Sequence, residues 1–261
     1  MRLLNASLRK LVRRPATGRT FLLLVAFLAL IYISLGLASA GASGTASKAT
    51  SAMLAFPDAH ASLSGMLLIF CGMAGAAYAG VVAGSEWSWN TFRVALTRGE
   101  SRVRYVVVLF IAIALLVFVA WLVLYALGVI LVLSAAAIGG TPAGDPLGSA
   151  TLGRLWVLVV SGGWAVLMEV AIGFGVAFAV RSPVAGIAAV VGLFFGERFA
   201  EMFAPADLLR LGPISAAENL VTSAGKAGLE GDIATPLAIT TLYLMLAVGL
   251  AAVAARRSEV A

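Results

Sequence analysis

Six long apolar segments alternate with polar connections along the 261 residues of the chain. An α-helix of about 20 apolar residues crosses the hydrocarbon of a bilayer with its backbone hydrogen bonds made internally. The pattern predicts six such spans, at about residues 21–40, 63–83, 105–135, 155–180, 184–200 and 236–255. The third apolar run is longer than a bilayer needs, and the purely apolar part of the fifth is short. We therefore predict an all-α polytopic membrane protein of one domain, a bundle of six transmembrane helices.

The N-terminal segment, residues 1–19, is basic and contains no acidic residue. On a helical wheel its leucines and three of its arginines fall on opposite faces: Leu4, Leu8 and Leu11 against Arg2, Arg9 and Arg13. A basic amphipathic helix of this kind suits the surface of an anionic leaflet. Pro15 is expected to end or kink this helix before the first span, because proline disrupts a helix interior.

The connection from Gly84 to Arg104 is the most polar interruption in the first two-thirds of the chain. A helical wheel separates it into an apolar face of Trp89, Phe92 and Leu96 and a polar face of Glu86, Asn90, Arg93 and Thr97. Gly99 lies where a glycine would end the helix. The pattern predicts a short amphipathic helix with its apolar side on the membrane or the bundle. Its polar side either meets a partner in the water phase or belongs to a solvated connector.

The structures of two other connections can also be predicted. Residues 41–62 are small and polar, which predicts a loop in which His60, the one histidine of the chain, is solvated. Residues 200–235 mix charges with large apolar side chains, which predicts half-buried helices at the rim of the membrane. Gly80 and Gly84 have the GxxxG spacing that permits close helix approach.

Composition and charge narrow the class of protein. The chain is 62% hydrophobic and 11% charged, against about 25% charged residues in soluble domains. With six spans, 13 of the 18 Lys and Arg residues lie on the side of the two termini. The other five are Lys48, Arg154, Arg198, Arg210 and Lys226. The positive-inside rule therefore predicts cytoplasmic termini and a cytoplasmic 84–104 helix, with residues 200–235 outside. The net charge of +6 reports this orientation, and no nucleic-acid partner is expected.

Few residues in the predicted spans have charged side chains. Glu169 is an acidic residue deep in the fourth span, where a carboxylate is costly. It either lines a transport path or gate, or makes a structural hydrogen bond inside the bundle. Glu197, Arg198 and Glu201 lie at the end of the fifth span and are candidate gate residues, although Arg198 and Glu201 have the spacing of a simple helical ion pair.

Motifs of catalysis are missing from the sequence. It contains no GxxxxGK[ST] nucleotide loop, no HExxH, no GxSxG and no cluster of His or Cys. We expect no enzyme active site, no metal site and no cofactor in this chain.

The stretch from Glu86 to Arg102 resembles a motif of the membrane (permease) subunit of type-2 ABC exporters, the ABC-2 type transporter permeases. The positions that match are Glu86, Thr91, Arg93, Leu96, Gly99, Ser101 and Arg102. Asn90 replaces the glycine that family members usually have, and Leu109 stands where many carry a lysine. The six-span architecture extends the resemblance over nearly the whole chain.

The resemblance implies that residues 84–104 contain a coupling helix that docks into a separate ATPase subunit. The residues it assigns to coupling are Glu86, Trp87, Asn90, Thr91, Arg93, Thr97, Arg98 and Gly99. It also implies an interfacial helix over residues 1–15 and short outer helices within residues 197–235. ATP and Mg would bind to the partner ATPase, present in two copies beside a second permease subunit, in a bacterial cytoplasmic membrane.

Two other functions remain open. The first is a membrane scaffold or regulator that uses the same helix without transporting anything. The second is an ion-coupled secondary carrier using Glu169, which is less favoured because the spans hold one deep acid and no broken-helix pair is evident.

Overall fold

A computed structural model describes residues 2–41, 45–227 and 232–258 of the chain. The described residues form eleven helices and no strand. They are α1 (Arg2–Val12), α2 (Pro15–Gly41), α3 (Thr45–Leu54), α4 (Asp58–Ser88), α5 (Thr91–Thr97), α6 (Arg102–Gly139), α7 (Ser149–Val180), α8 (Pro183–Ala200), α9 (Ala206–Leu209), α10 (Pro213–Ala227) and α11 (Ala234–Arg257). The side chains of Arg2 and Lys48 lie outside the described residues.

Six of these helices, α2, α4, α6, α7, α8 and α11, are long and apolar enough to cross a membrane. The prediction of an all-α polytopic bundle is confirmed. Helix α6 has 38 residues, which gives it a length of about 57 Å against about 30 Å of hydrocarbon. It therefore tilts or extends beyond the bilayer, as its long apolar run predicts.

Helix α7 lies at the centre of the bundle and packs against α4, α8, α10 and α11, while α6 carries α2 on its other side. Helices α4 and α7 are the most buried spans, and α2 and α8 are the most exposed. The GxxxG spacing acts as predicted: Gly80 meets Gly186, and Gly84 meets the backbone of Pro183. A side chain at Gly84 would collide with that backbone, so glycine permits this close approach of α4 to the start of α8.

The connection between α2 and α4 differs from the predicted polar loop. It contains α3, and α4 already begins at Asp58. His60 is only 1% exposed, so the prediction of a solvated histidine is wrong. Residues 42–44 of this connection lie outside the described part.

At the other end of the bundle from α1, α10 packs along α7 and α11. Its apolar side is buried, including Ile214, Ala217, Leu220 and Val221, while Lys226 is exposed. The predicted half-buried helix is therefore confirmed for residues 213–227. Residues 228–231 of the same connection are outside the described residues.

Helix α1 packs against α6. Leu11 is fully buried, and Leu4 and Leu8 are partly buried against the core. Helix α2 begins at Pro15, a residue that is favourable in the first turn of a helix and unfavourable further inside. The predicted break at Pro15 is confirmed.

Candidate functional site

The connection between α4 and α6 is broken into two helical pieces. Helix α4 runs to Ser88, and α5 begins at Thr91 after Asn90, whose φ of 54° lies in the left-handed region. The prediction of one continuous helix through residues 86–97 is wrong. Asparagine is among the few non-glycine residues that adopt this backbone conformation readily, so Asn90 can turn the chain between α4 and α5.

Glu86 is completely buried, although the helical wheel placed it on the polar face. Its Oε1 lies 2.6 Å from Lys10 Nζ. Its Oε2 accepts hydrogen bonds from Thr91 Oγ1 at 2.5 Å and from Tyr105 Oη at 2.6 Å. These charge-assisted bonds offset the cost of burying the carboxylate. One side chain at the end of α4 thus joins α1, α5 and α6.

An aromatic cluster lies beside this carboxylate. Phe92 of α5 is fully buried, with its ring centre 4.9 Å from Trp87, 5.4 Å from Phe178 and 5.6 Å from Tyr105. Trp87 Nε1 donates to the Phe178 carbonyl oxygen at 3.0 Å, and the Arg181 guanidinium lies 4.4 Å from the Trp87 ring centre. Such contacts are favourable, and they attach α5 to the end of α7.

The remaining part of α5 faces outward. The exposed side chains on α5 and at its two ends, which we call the α5 surface, are Asn90, Arg93, Val94, Thr97 and Arg98. Gly99 is also exposed, with φ of 87°, and ends the helix as predicted. The α5 surface carries two arginines and no acidic residue, so it is positively charged.

The predicted apolar face is divided in the structure. Phe92 is buried and Leu96 is partly buried, but Trp89 is 63% exposed. The Arg14 guanidinium lies 4.9 Å from the Trp89 ring centre and donates to Ser85 Oγ at 3.3 Å. The α1–α2 corner therefore also contacts the end of α4.

Helix α6 begins beside the C-terminal end of α11. Ser101 caps α6 by accepting a hydrogen bond from the Arg104 backbone N–H at 3.4 Å. Arg102 donates to the carbonyl oxygen of Arg256 at 3.1 Å. The α5 surface, α1 and the end of α11 thus occupy the same end of the bundle.

Glu169 is buried between the spans, with 2% of its surface exposed. Its carboxylate faces Gly72 of α4, where a side chain would collide with it. Among the described residues, no hydrogen bond or ion pair to this carboxylate is found, and the structural hydrogen bond stays a prediction. A role in the transport path stays a prediction.

Glu197, Arg198 and Glu201 attach the end of α8 to α10. Glu197 accepts hydrogen bonds at the first turn of α10, from the backbone N–H of Ile214 at 3.0 Å and of Ser215 at 2.8 Å. The predicted pair of Arg198 with Glu201 is present at 2.7 Å. These contacts give the three residues a structural part to play, and their role as a gate stays a prediction.

Arg198 also pairs with Glu218 of α10. Burial raises the pKa of the Glu218 carboxyl, while the Arg198 charge acts in the opposite direction.

The hydrogen bonds of His60 were not predicted from the sequence. His60 Nε2 lies 3.1 Å from the Pro146 carbonyl oxygen, so this nitrogen carries the proton. The other ring nitrogen, Nδ1, lies 3.1 Å from Tyr125 Oη and accepts its hydrogen. These bonds hold the connection between α6 and α7 against the start of α4. Within the described ranges, no group of three or more His, Cys, Asp or Glu is placed to bind a metal.

The partners of Glu86 were also missed, because Lys10 and Tyr105 are distant in sequence. The Asn90-Thr91 pair was the available signal for a break between Ser88 and Thr91, since these residue types favour turns and helix starts. No protein-family model matches this chain, and no curated protein matches it in sequence.

Proposed function

We propose that this chain is the permease subunit of an ATP-binding cassette transporter. It forms the translocation path and is coupled to a separate ATPase, and by the resemblance of residues 86–102 the direction is export. The chain itself is not an enzyme, because ATP and Mg bind to the partner. The complete transporter contains two ATPase subunits and a second permease subunit, identical or related to this one.

The main observation behind the proposal is that α5 has an exposed cationic surface on one side and buried contacts on the other. Arg93 and Arg98 are exposed on or directly after α5. On the opposite side of the same helix, Phe92 is fully buried and Thr91 bonds to the buried Glu86. A solvated connector needs no such anchoring.

The anchoring favours transmission of force. Helix α5 contacts side chains of α4, α6 and α7, and Glu86 of α4 links this group to Lys10 of α1. Packed helices move as units, so a displacement of α5 by a bound ATPase reaches several spans together. This connection is what ATP-driven transport requires of its membrane subunit.

The orientation follows from charge. The end of the bundle with α1 and the α5 surface holds most of the basic residues, which supports a cytoplasmic location for both termini and α5. The membrane is then the bacterial cytoplasmic membrane, and α10 lies on the outer side. Glu169 lies along the path, and Glu197, Arg198 and Glu201 lie at its outer end.

Affinity purification of the tagged chain from its native membrane tests the proposal. We expect a stoichiometric partner with a GxxxxGK[ST] loop, whose ATPase activity changes on assembly with this chain. A chain that purifies without any such ATPase contradicts the proposal. A partner of another class would support the scaffold, and ion-driven uptake without ATP would support the carrier.

A further inference from the structure

A buried histidine joins two connections at the end of the bundle opposite α1. His60, in the first turn of α4, is 1% exposed, and its ring centre lies 4.5 Å from that of Phe56 and 6.0 Å from that of Tyr125. Its Nε2 donates to the Pro146 carbonyl oxygen, and Tyr125 Oη donates to its Nδ1. One ring therefore links the α3–α4 connection, α4, α6 and the α6–α7 connection.

A backbone hydrogen bond crosses between the same two connections. The Phe56 backbone N–H donates to the Ala143 carbonyl oxygen at 2.8 Å. We call this bond and the two bonds of His60 the clasp. Much of the α6–α7 connection around it, residues 141–148, is exposed. The clasp is therefore important for holding this connection against the start of α4.

The clasp depends on a neutral imidazole. Nδ1 accepts from Tyr125 only while it carries no proton of its own. A second proton on the ring ends this bond. Even if the tyrosine hydroxyl turns to accept from Nδ1–H, the ring then holds a positive charge in a buried site, and burying an unpaired charge is costly.

The groups around the ring supply no counter-charge. His60 makes no ion pair with an acidic group of the described residues. On α4 itself, Asp58 is exposed, and α6 contributes the neutral Tyr125. In the α6–α7 connection, Asp145 is exposed and its Oδ1 accepts from the Leu147 backbone N–H at 2.9 Å.

We propose that the clasp is an acid-sensitive latch, which releases the α6–α7 connection from α4 when His60 is protonated. One proton from solution binds Nδ1, ends its bond with Tyr125 and charges the ring. The clasped state is disfavoured by this proton, so its stability is complete above the range in which histidine titrates and is lost as the pH falls through that range. In the orientation proposed above, the latch responds to the pH outside the cell.

Hydrogen–deuterium exchange of the purified full-length chain in nanodiscs tests the latch. It is measured at about pH 7.5 and about pH 5, which bracket most of the histidine range. The reporters are residues 55–60 and 141–148, and the reference is His60→Gln, which keeps a donor for the Pro146 carbonyl and does not titrate. Comparison at equal pH cancels the intrinsic effect of pH on exchange. We expect the ratio of wild-type to His60→Gln exchange rates to rise by roughly tenfold between the higher and the lower pH.

Matched controls assign the response to the ring. Asp58→Asn with Asp145→Asn removes the two nearby acidic groups and should keep the full response of the wild type. Residues 91–97, at the opposite end of the bundle, should exchange alike in wild type and His60→Gln at both pH values. If His60→Gln does not fold, Tyr125→Phe takes its place as the reference, and the ratio of wild-type to Tyr125→Phe rates should rise in the same direction.

Three results would overturn the inference. They are a ratio that is the same at both pH values, an equal change in residues 91–97, and a response that disappears in the aspartate variant. The measurement needs no ATPase and no transport. Its failure would therefore leave the proposed function standing, and its success would not establish that function.

Discussion

Replacing Glu86 tests the anchoring of α5 in two graded steps. In Glu86→Gln, the amide oxygen can take the place of Oε2 and still accept from Thr91 and Tyr105. The amide nitrogen then faces the Lys10 ammonium, so the ion pair alone is lost. In Glu86→Ala, all three partners lose their acceptor and a space remains.

The two substitutions should differ clearly in size. The Lys10 side chain is 35% exposed, so solvent screens the ion pair and its loss costs about 1–2 kcal/mol. Glu86→Ala also leaves the hydroxyls of Thr91 and Tyr105 without this acceptor, so the free energy of unfolding falls by about 3–5 kcal/mol in total. At about 3 °C per kcal/mol for a chain of this size, Tm falls by about 4 °C and about 12 °C respectively.

Thermal unfolding of the purified variants in one detergent measures these shifts. Glu100→Gln is the control, because it makes the same change in the same connection at a partly buried residue for which the described structure shows no side-chain ion pair or hydrogen bond. A double-mutant cycle of Glu86→Gln with Lys10→Gln isolates the ion pair, with an expected coupling of about 1–2 kcal/mol. Melting of Glu86→Ala within a degree of the Glu100→Gln control would show that Glu86 does not anchor α5.

Four further outcomes follow from the packing and the charge. Gly84→Ala should destabilise the chain by about 1–3 kcal/mol in thermal unfolding because its methyl group meets the Pro183 backbone, whereas Gly192→Ala, which meets nothing, should be neutral or stabilising; equal shifts would contradict this. Glu197→Gln weakens the cap of α10 and should cost about 1–2 kcal/mol by the same assay, so an unchanged Tm would show that the cap is unimportant. Glu169→Leu leaves no described partner unsatisfied and should melt no lower than the wild type, while a transport path through this carboxylate predicts loss of transport; full transport removes that role. A cysteine at Lys226 should react with an impermeant reagent in sealed cells, and reaction only after the membrane is opened would reverse the orientation.

The spans were predictable because their signal is local. About 20 apolar residues in sequence have one stable form in a membrane, and each of the six runs lies in one helix. The start of α2 at Pro15 and the end of α5 before Gly99 were also predictable, since both residues act through their own backbone.

The site was less predictable because its contacts are distant in sequence. The helical wheel assumes one unbroken helix, so the turn at Asn90 shifted Glu86 away from its assigned face. The wheel also ignores neighbours, and Lys10 and Tyr105 supply the partners that make the burial of Glu86 possible. His60 shows the same effect, because Tyr125 and the Pro146 carbonyl satisfy a ring that its local sequence suggested was solvated.

The most direct test of the account concerns the α5 surface. In Arg93→Glu with Arg98→Glu, two exposed side chains are reversed while Glu86 and Phe92 keep their contacts. The matched control is Arg104→Glu with Arg257→Glu, which reverses two exposed arginines at the same end of the bundle. The measurement is the amount of GxxxxGK[ST] ATPase that co-purifies per folded chain, at two salt concentrations.

The account predicts that the α5 variant folds like the wild type and loses the ATPase by roughly tenfold or more, while the control retains it. If the α5 variant binds as much ATPase as the control does, the α5 surface is only a connector and the coupling assignment is wrong.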